Sequence, residues 1–456
     1  MLNTECGIFS IIKKTQQEYN ILPKVIEGLH KLQHRGQESC GIAYKKDNEF
    51  IIYKDLGLVK NVFQNFNEMY QPTICIGHVR YSTSGKKNIS DSLKIKECHP
   101  IKGNHNLNEF VIAHNGTLPN FNELKIKYNS SATSDTLFLV ELIEQINKTD
   151  WNDICIELMN IIKGVYCLII LVNDTIYLLR DRYGYRPLCI GETDNEIIIS
   201  SESYVFDYKY FKKDVQPGEI IKIEKGYINT IYNLDNVIKQ KCVFEYIYFL
   251  NKNTIMDNID VTKSRQMFGK LLAQKDINKF NKNDYIVVGC PESGIISGQS
   301  YAYFLDLPYK QVITKNQNVK RSFILPSNEQ RIDLCKRKFN IDKSIQNKSI
   351  ILIDDSIVRG NTLKILIELL RTMKCKEVHI RISSPPIISP CYFGIDIPTY
   401  SELITHNKSI EDIRIYINAT TLIYLTTEDL EISLGNNNQY CMSCFTNNYN
   451  KDIFDW

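Results

Sequence analysis

The first half of the chain reads as short apolar or alternating runs separated by turn-forming residues. Runs at 6–12, 41–44, 50–53, 74–79, 110–113, 166–172, 175–179, 188–190 and 196–200 predict β-strands. Stretches 21–32 and 135–145 carry apolar residues at helical spacing, and Ser134 is placed to cap the second. Many strands with few helices predict a sheet-on-sheet body flanked by helices. After Pro217, Gly218 and Glu219, two more short strands end near Tyr232. Then the pattern changes. A helix over 261–274, an apolar strand at 285–288, a turn at 290–294 and another helix come first. A strand at 349–353, a helix at 363–373 and a strand at 377–382 follow. Strand–helix alternation predicts an α/β domain with a parallel sheet. The reading is a two-domain α/β chain: residues 1–5 ahead of the first strand, 6–236 as one domain, and 237–456 as the second.

Composition narrows the functional classes. The 456 residues carry 55 basic and 52 acidic side chains, a net charge of +3, which does not signal a general nucleic-acid surface. The longest apolar run, 165–172, is far short of the roughly 20 residues that a membrane span requires. No basic and apolar leader precedes Cys6, so a cytoplasmic protein is expected, with neither membrane nor nucleic acid as partner. Fourteen cysteines in such a chain point to burial, metal or catalysis before disulfides.

Cys6 opens an apolar strand. If residues 1–5 are removed, its α-amine has a pKa near 8 and is roughly 10% unprotonated at pH 7, so one residue supplies nucleophile and base. Four segments carry a pattern: Cys6 to Phe9, 32–38 (Leu-Gln-His-Arg-Gly-Gln-Glu), 77–83 (Gly-His-Val-Arg-Tyr-Ser-Thr) and 113–117 (Ala-His-Asn-Gly-Thr). Ser134, Asp135 and the run 180–187 (Arg-Asp-Arg-Tyr-Gly-Tyr-Arg-Pro) follow in order. Together they resemble the N-terminal-nucleophile glutamine amidotransferases, whose fold is an αββα sandwich. The resemblance implies Arg80 on the α-carboxylate of glutamine and Asp135 on its α-ammonium. It also implies an oxyanion hole formed by Asn115 and Gly116, with His34 and Arg35 shaping the site.

In the second half, 350–362 reads as a buried strand, the acids Asp354 and Asp355 at its carboxyl end, a small-residue loop, then a helix. Ligands of open α/β sheets bind at such strand ends, and a loop entering a helix offers backbone N–H groups to phosphate. The stretch resembles the phosphoribosyl diphosphate (PRPP) loop of type I phosphoribosyltransferases. It implies PRPP contacts from Asp354, Asp355, Ser356, Arg359, Gly360 and Thr362, and Mg²⁺ held by Ser293, Asp354 and Asp355. Residues 315–331, with Lys315 and Arg321, look like the flap that closes over the sugar and excludes water. Gln317 and Lys320 depart from the family's arginine and glycine there, and 249–254 lacks its usual Arg-Pro-Asp.

The pair Cys441 and Cys444 is by itself compatible with metal, redox chemistry or chance. Across nearly the whole chain the two halves resemble the glutamine-dependent phosphoribosyl amidotransferases, in their iron–sulfur, propeptide-processed subclass. That likeness adds Cys242 and Cys391 and implies a structural [4Fe-4S] cluster, with four-cysteine zinc and uncomplexed buried thiols as competitors. It implies cleavage between Glu5 and Cys6, purine nucleotides as feedback inhibitors and a homotetramer. The implied reaction hydrolyses glutamine and passes ammonia to PRPP, giving 5-phosphoribosylamine at the entry to purine synthesis. Two rivals stand beside it. A glucosamine-6-phosphate synthase would need isomerase domains in place of the 354–362 loop, and a PRPP sensor would have no use for Cys6, Arg80, Asn115 and Asp135.

Overall fold

The computed structural model describes residues 6–15, 18–81, 90–106, 108–315, 339–397, 399–435 and 438–453. Thirteen strands build its N-terminal body: β1 (Gly7–Lys13), β2 (Ser39–Lys46), β3 (Glu49–Leu56), β4 (Ile74–Arg80), β5 (Ile101–His105), β6 (Asn108–Thr117), β7 (Val165–Val172), β8 (Thr175–Arg180), β9 (Cys189–Glu192), β10 (Glu196–Ser200), β11 (Phe211–Asp214), β12 (Glu219–Glu224) and β13 (Tyr227–Asn233). They pair into one sheet in the order β11-β9-β10-β1-β4-β2-β3 and another in the order β13-β12-β8-β7-β6-β5.

Alternation makes these two sheets stack. On β7, Cys167, Ile169 and Leu171 face a core shared with Ile8 and Ile12 of β1, while Tyr166, Leu168 and Ile170 face the opposite way. The outer face of the first sheet packs on helix α1 (Leu22–Lys31), through Val25 and Leu29. The outer face of the second packs on α2 (Asp135–Gln145) and α3 (Trp151–Ile161). The result is the expected αββα sandwich.

The sequence reading missed α3, although its buried residues Trp151, Ile154, Cys155, Leu158 and Met159 keep helical spacing and Asp150 caps it through the Asn152 N–H. It also missed β5 and β11, two short strands at sheet edges, where only one neighbour supports pairing.

The C-terminal domain centres on four parallel strands, β14 (Tyr285–Gly289), β15 (Ser349–Asp354), β16 (Val378–Ile382) and β17 (Thr421–Tyr424), side by side in chain order. Such strands are buried on both faces and therefore read as continuous apolar runs. Val287, Ile351 and Ile353 face α4 (Val261–Gln274) and α5 (Ile295–Phe304), whereas Ile350, Leu352 and Ile380 face α6 (Asn361–Thr372). Helix α6 starts two residues earlier than the apolar pattern predicts, because Gly360 at φ 74° turns the chain into it. A parallel two-residue ladder pairs Lys241 and Cys242 with Tyr440 and Cys441, holding the C-terminal segment on the junction between the domains. Among the described residues, no helix is long and apolar enough to cross a membrane.

Candidate active sites and their junction

The register of the first sheet places the nucleophile. Gly7 pairs with Val79, so Cys6 lies across from Arg80, the last residue of β4. The Cys6 thiol donates to the Tyr81 carbonyl at 3.6 Å, and the Arg35 Nε donates to the Cys6 carbonyl at 3.0 Å. Arg80 is buried and pairs with Glu97 at 3.2 Å, and Thr133 holds the other oxygen of Glu97 at 2.8 Å. Burial works against the Arg80 charge, and Glu38, Cys6 and Glu97 more than offset it. Glu97 lay in no motif, and only the pairing reveals it.

The predicted oxyanion pair sits at the end of β6. Asn115 is 1% exposed, and among the described residues its Nδ2 has no hydrogen-bond acceptor, an orphan of the kind buried amides avoid unless a ligand completes them. A Cβ on Gly116 would lie 2.0 Å from the Val165 carbonyl oxygen, so only glycine fits there. The Leu118 N–H donates to Asp135 Oδ2 at 3.4 Å, which ties the start of α2 to the end of β6. Behind the pair lie three buried imidazoles. His78 Nε2 is 3.0 Å from the His114 carbonyl and 3.2 Å from His99 Nδ1, and His114 Nδ1 is 3.0 Å from Thr136 Oγ1. Burial lowers all three pKa values, that of His78 to about 3, which favours the neutral imidazoles beside Asn115 and Gly116.

In the second domain Asp354 and Asp355 stand at the carboxyl end of β15. Asp355 accepts from the Ser293 hydroxyl and, at 2.7 Å, from Ser356; its N–H donates to Asp354 Oδ1 at 3.0 Å. Burial, and then the Asp355 charge, push the Asp354 carboxyl well above the usual carboxylate range. The Cys290 thiol is raised by burial and then by both acids, while Lys315 acts on it in the opposite sense. Gly360 stands at φ 74°, a backbone conformation that strains any other residue, and Thr362 lies in the first turn of α6. Arg359 is turned to Glu402, at 2.7 Å, as the side chains stand. Arg321, Gln317, Lys320 and residues 1–5 lie outside the described residues.

Between the sites runs a buried polar network whose central acid, Glu202, no motif announced. Glu202 accepts from His34 and Arg35 through one oxygen, and from the Asn251 N–H and the Thr254 hydroxyl through the other. Burial alone would raise its pKa, but His34 and Arg35 hold it well below the usual range. Arg265, on α4, donates to the carbonyls of Tyr246 and Leu250. Burial lowers its pKa to about 10, against the charges of Asp355 and of Glu202 in this network.

Cys242, Cys391, Cys441 and Cys444 line one cavity with Tyr185, Arg186, Phe393 and Tyr449. Burial raises Cys391 to about 11 and pushes up Cys441 and Cys444. Among the described residues, no group of three or more His, Cys, Asp or Glu is disposed to hold a metal ion as the side chains stand, so the cavity is a convergence of donors rather than a formed metal shell.

A nucleophile sandwich joined to a strand-end acid loop defines a glutamine amidotransferase fused to a phosphoribosyltransferase. Family models agree: a glutamine amidotransferase domain matches 91–207 and a phosphoribosyl transferase domain matches 258–383. The amidophosphoribosyltransferase of Methanocaldococcus jannaschii is 35% identical over 98% of both chains, and that of Bacillus subtilis is 33% identical over 99% of this chain and 95% of its own. Among solved structures, one described as the allosteric regulatory enzyme of purine biosynthesis superposes with a TM-score of 0.87, at 33% identity, over 97% of this chain and 96% of its own. The chain belongs to the amidophosphoribosyltransferase family, glutamine-hydrolysing pentosyltransferases that transfer the amide nitrogen of glutamine to PRPP in purine biosynthesis.

Proposed function

We propose that Cys6, exposed as the N-terminus by removal of residues 1–5, attacks the glutamine amide with its own α-amine as base. Arg80 and Asp135 orient the amino acid head group, and the orphan Asn115 amide with the Gly116 N–H receives the oxyanion. The buried Asn115 Nδ2, which has no acceptor among the described residues, carries this assignment. Asn115→Ala is expected to cost about 10²–10³ in glutamine hydrolysis, the size of losing an oxyanion donor, while amination of PRPP by added ammonia persists. Measuring glutamate release and ammonia-dependent pyrophosphate release on the same variant checks it; undiminished glutamate release would remove the hole from Asn115 and Gly116.

In the second domain, Asp354, Asp355 and Ser293 fit a divalent cation, since two adjacent acids share one buried strand end and one carboxyl is pushed toward its neutral form. Mg²⁺ bound there would neutralise charge developing on the departing pyrophosphate. The chain's own part is to seat the 5′-phosphate on the loop 355–360 and the head of α6, and to exclude water with the segment that begins at Lys315. Arg359 would exchange Glu402 for phosphate when PRPP arrives.

The four cysteines fit a [4Fe-4S] cluster in donor type, number and convergence on one cavity. Its role would be structural, pinning the segment around Cys441 and Cys444 to the junction at Cys242. Anaerobically purified protein is expected to absorb broadly in the visible and to carry about four iron atoms per chain; colourless protein with one zinc would transfer the site to the competing metal. Purine nucleotides are proposed as inhibitors, supported by the 32%-identical glutamine PRPP amidotransferase of B. subtilis, solved in complex with ADP and GMP. A homotetramer is proposed on the resemblance of the whole chain.

A further inference from the structure

The buried charges nearest the cysteine cavity do not end there. Arg186 lines that cavity beside Cys391 and Cys441, and its charge acts on both thiols. Its Nη2 donates to the Phe393 carbonyl, two residues after Cys391, and its Nη1 lies 3.9 Å from Glu245 Oε1. Glu245 stands three residues after Cys242 and accepts both terminal nitrogens of Arg35, at 2.8 and 3.1 Å. Arg35 in turn holds the Cys6 carbonyl through Nε at 3.0 Å. Arg35 and Arg186 are each 1% exposed and Glu245 3%, so these interactions are little screened by water. Even the neighbouring backbone is fitted to them: a Cβ on Gly394 would come within 2.9 Å of Arg186 Nη2.

We infer that Glu245 is a positioning residue for the Cys6 nucleophile, acting through Arg35, and that Arg186 connects this positioning to the four-cysteine cavity. The physical reason lies in the forked guanidinium of Arg35. Glu245 grips it through both terminal nitrogens while Glu202 takes a second bond from Nη1, and with its plane so fixed the Nε–H fixes the carbonyl of the residue that carries thiol and amine. Glutamine is bound elsewhere, by Arg80 and Asp135, so a disturbed Glu245 alters the attack geometry and not the binding. Arg186 shares Glu245 with Arg35 and also faces the thiols. Four thiolates gathered in the cavity would hold Arg186 as their counter-charge and leave Glu245 to Arg35. The distal end of this relay rests on the four-thiolate proposal above; the proximal end, from Glu245 to Cys6, stands without it.

The test uses the full chain and four variants: Glu245→Gln, Glu245→Asp, Arg186→Met and Arg186→Lys. Glu245→Gln is expected to lower kcat for glutamine hydrolysis about tenfold or more, as displacement of a reacting group does, with KM for glutamine unchanged. Ammonia-dependent amination of PRPP should be unaffected, and Glu245→Asp should restore part of the loss. Arg186→Met should lower both bound iron, read by visible absorption, and kcat, whereas Arg186→Lys keeps the charge and most of both. Unchanged kcat in Glu245→Gln would overturn the inference, and so would an equal fall of the glutamine- and ammonia-dependent activities, which marks damage to the whole fold. Unchanged iron in Arg186→Met would remove the distal link. Should the parent chain bind no iron, the cluster proposal fails, and Glu245→Gln still decides the link to Cys6.

Discussion

Replacing Cys6 with alanine is expected to abolish glutamine hydrolysis, by about 10⁴-fold or more, the scale on which loss of a nucleophile is felt. Amination of PRPP by added ammonia should survive in the same protein. The two results separate because the chemistry is divided between domains. The thiol lies one residue ahead of β1 in the N-terminal sandwich, and the acid pair stands at the carboxyl end of β15 in the parallel sheet. Alanine keeps the α-amine and the backbone carbonyl that Arg35 holds, so the fold around residue 6 is preserved. Radiolabelled glutamine with product separation reads the first activity, and pyrophosphate release at high ammonia reads the second. Full glutaminase activity in Cys6→Ala would remove the thioester mechanism. Mass spectrometry of the active parent chain tests the accompanying step, because an intact Met1 would deny the thiol its own amine.

Converting Asp354 and Asp355 together to asparagine is expected to eliminate PRPP amination with either nitrogen source, by two to four orders of magnitude, about the range of losing preorganised charge stabilisation. Glutamate release measured without PRPP should remain. Stability supplies an independent readout. The Asp354 carboxyl is shifted up, first by burial and then by Asp355, so the folded state holds its proton more tightly than the unfolded chain does. A group raised in this way costs stability as pH climbs from its unfolded value toward its folded one, and the cost is fully present above both. Asp354→Asn alone should therefore raise the melting temperature at neutral pH in buffer free of Mg²⁺ and PRPP, and lower the activity in its presence. A variant that loses both activity and stability would place Asp354 in the scaffold instead of the site.

Several parts of this molecule were legible in the residue order. Cys6, the segment around Arg80, Asn115 with Gly116, and Asp354 to Thr362 are contiguous because each does a local backbone job: a strand end, a tight approach or a helix entry. The parallel sheet announced itself through β14, β15 and β16, whose two buried faces demand unbroken apolar runs. Other features were present and overlooked, such as the helical spacing and Asp150 cap of α3.

Residue order alone thus determined the two chemistries, their sequence along the chain and the kind of layer that carries each, since periodicity and motif are properties of neighbours. Only tertiary structure decided what surrounds them. Glu97 beneath Arg80, Glu202 between His34 and the Asn251 and Thr254 donors, Glu245 under Arg35 and Arg265 between the two sites have no local signature. Arg35 and Glu245 are 210 positions apart and meet because both must be buried at the domain junction. There an ion survives desolvation only with a well-formed partner, and packing, not spacing, selects which one it finds.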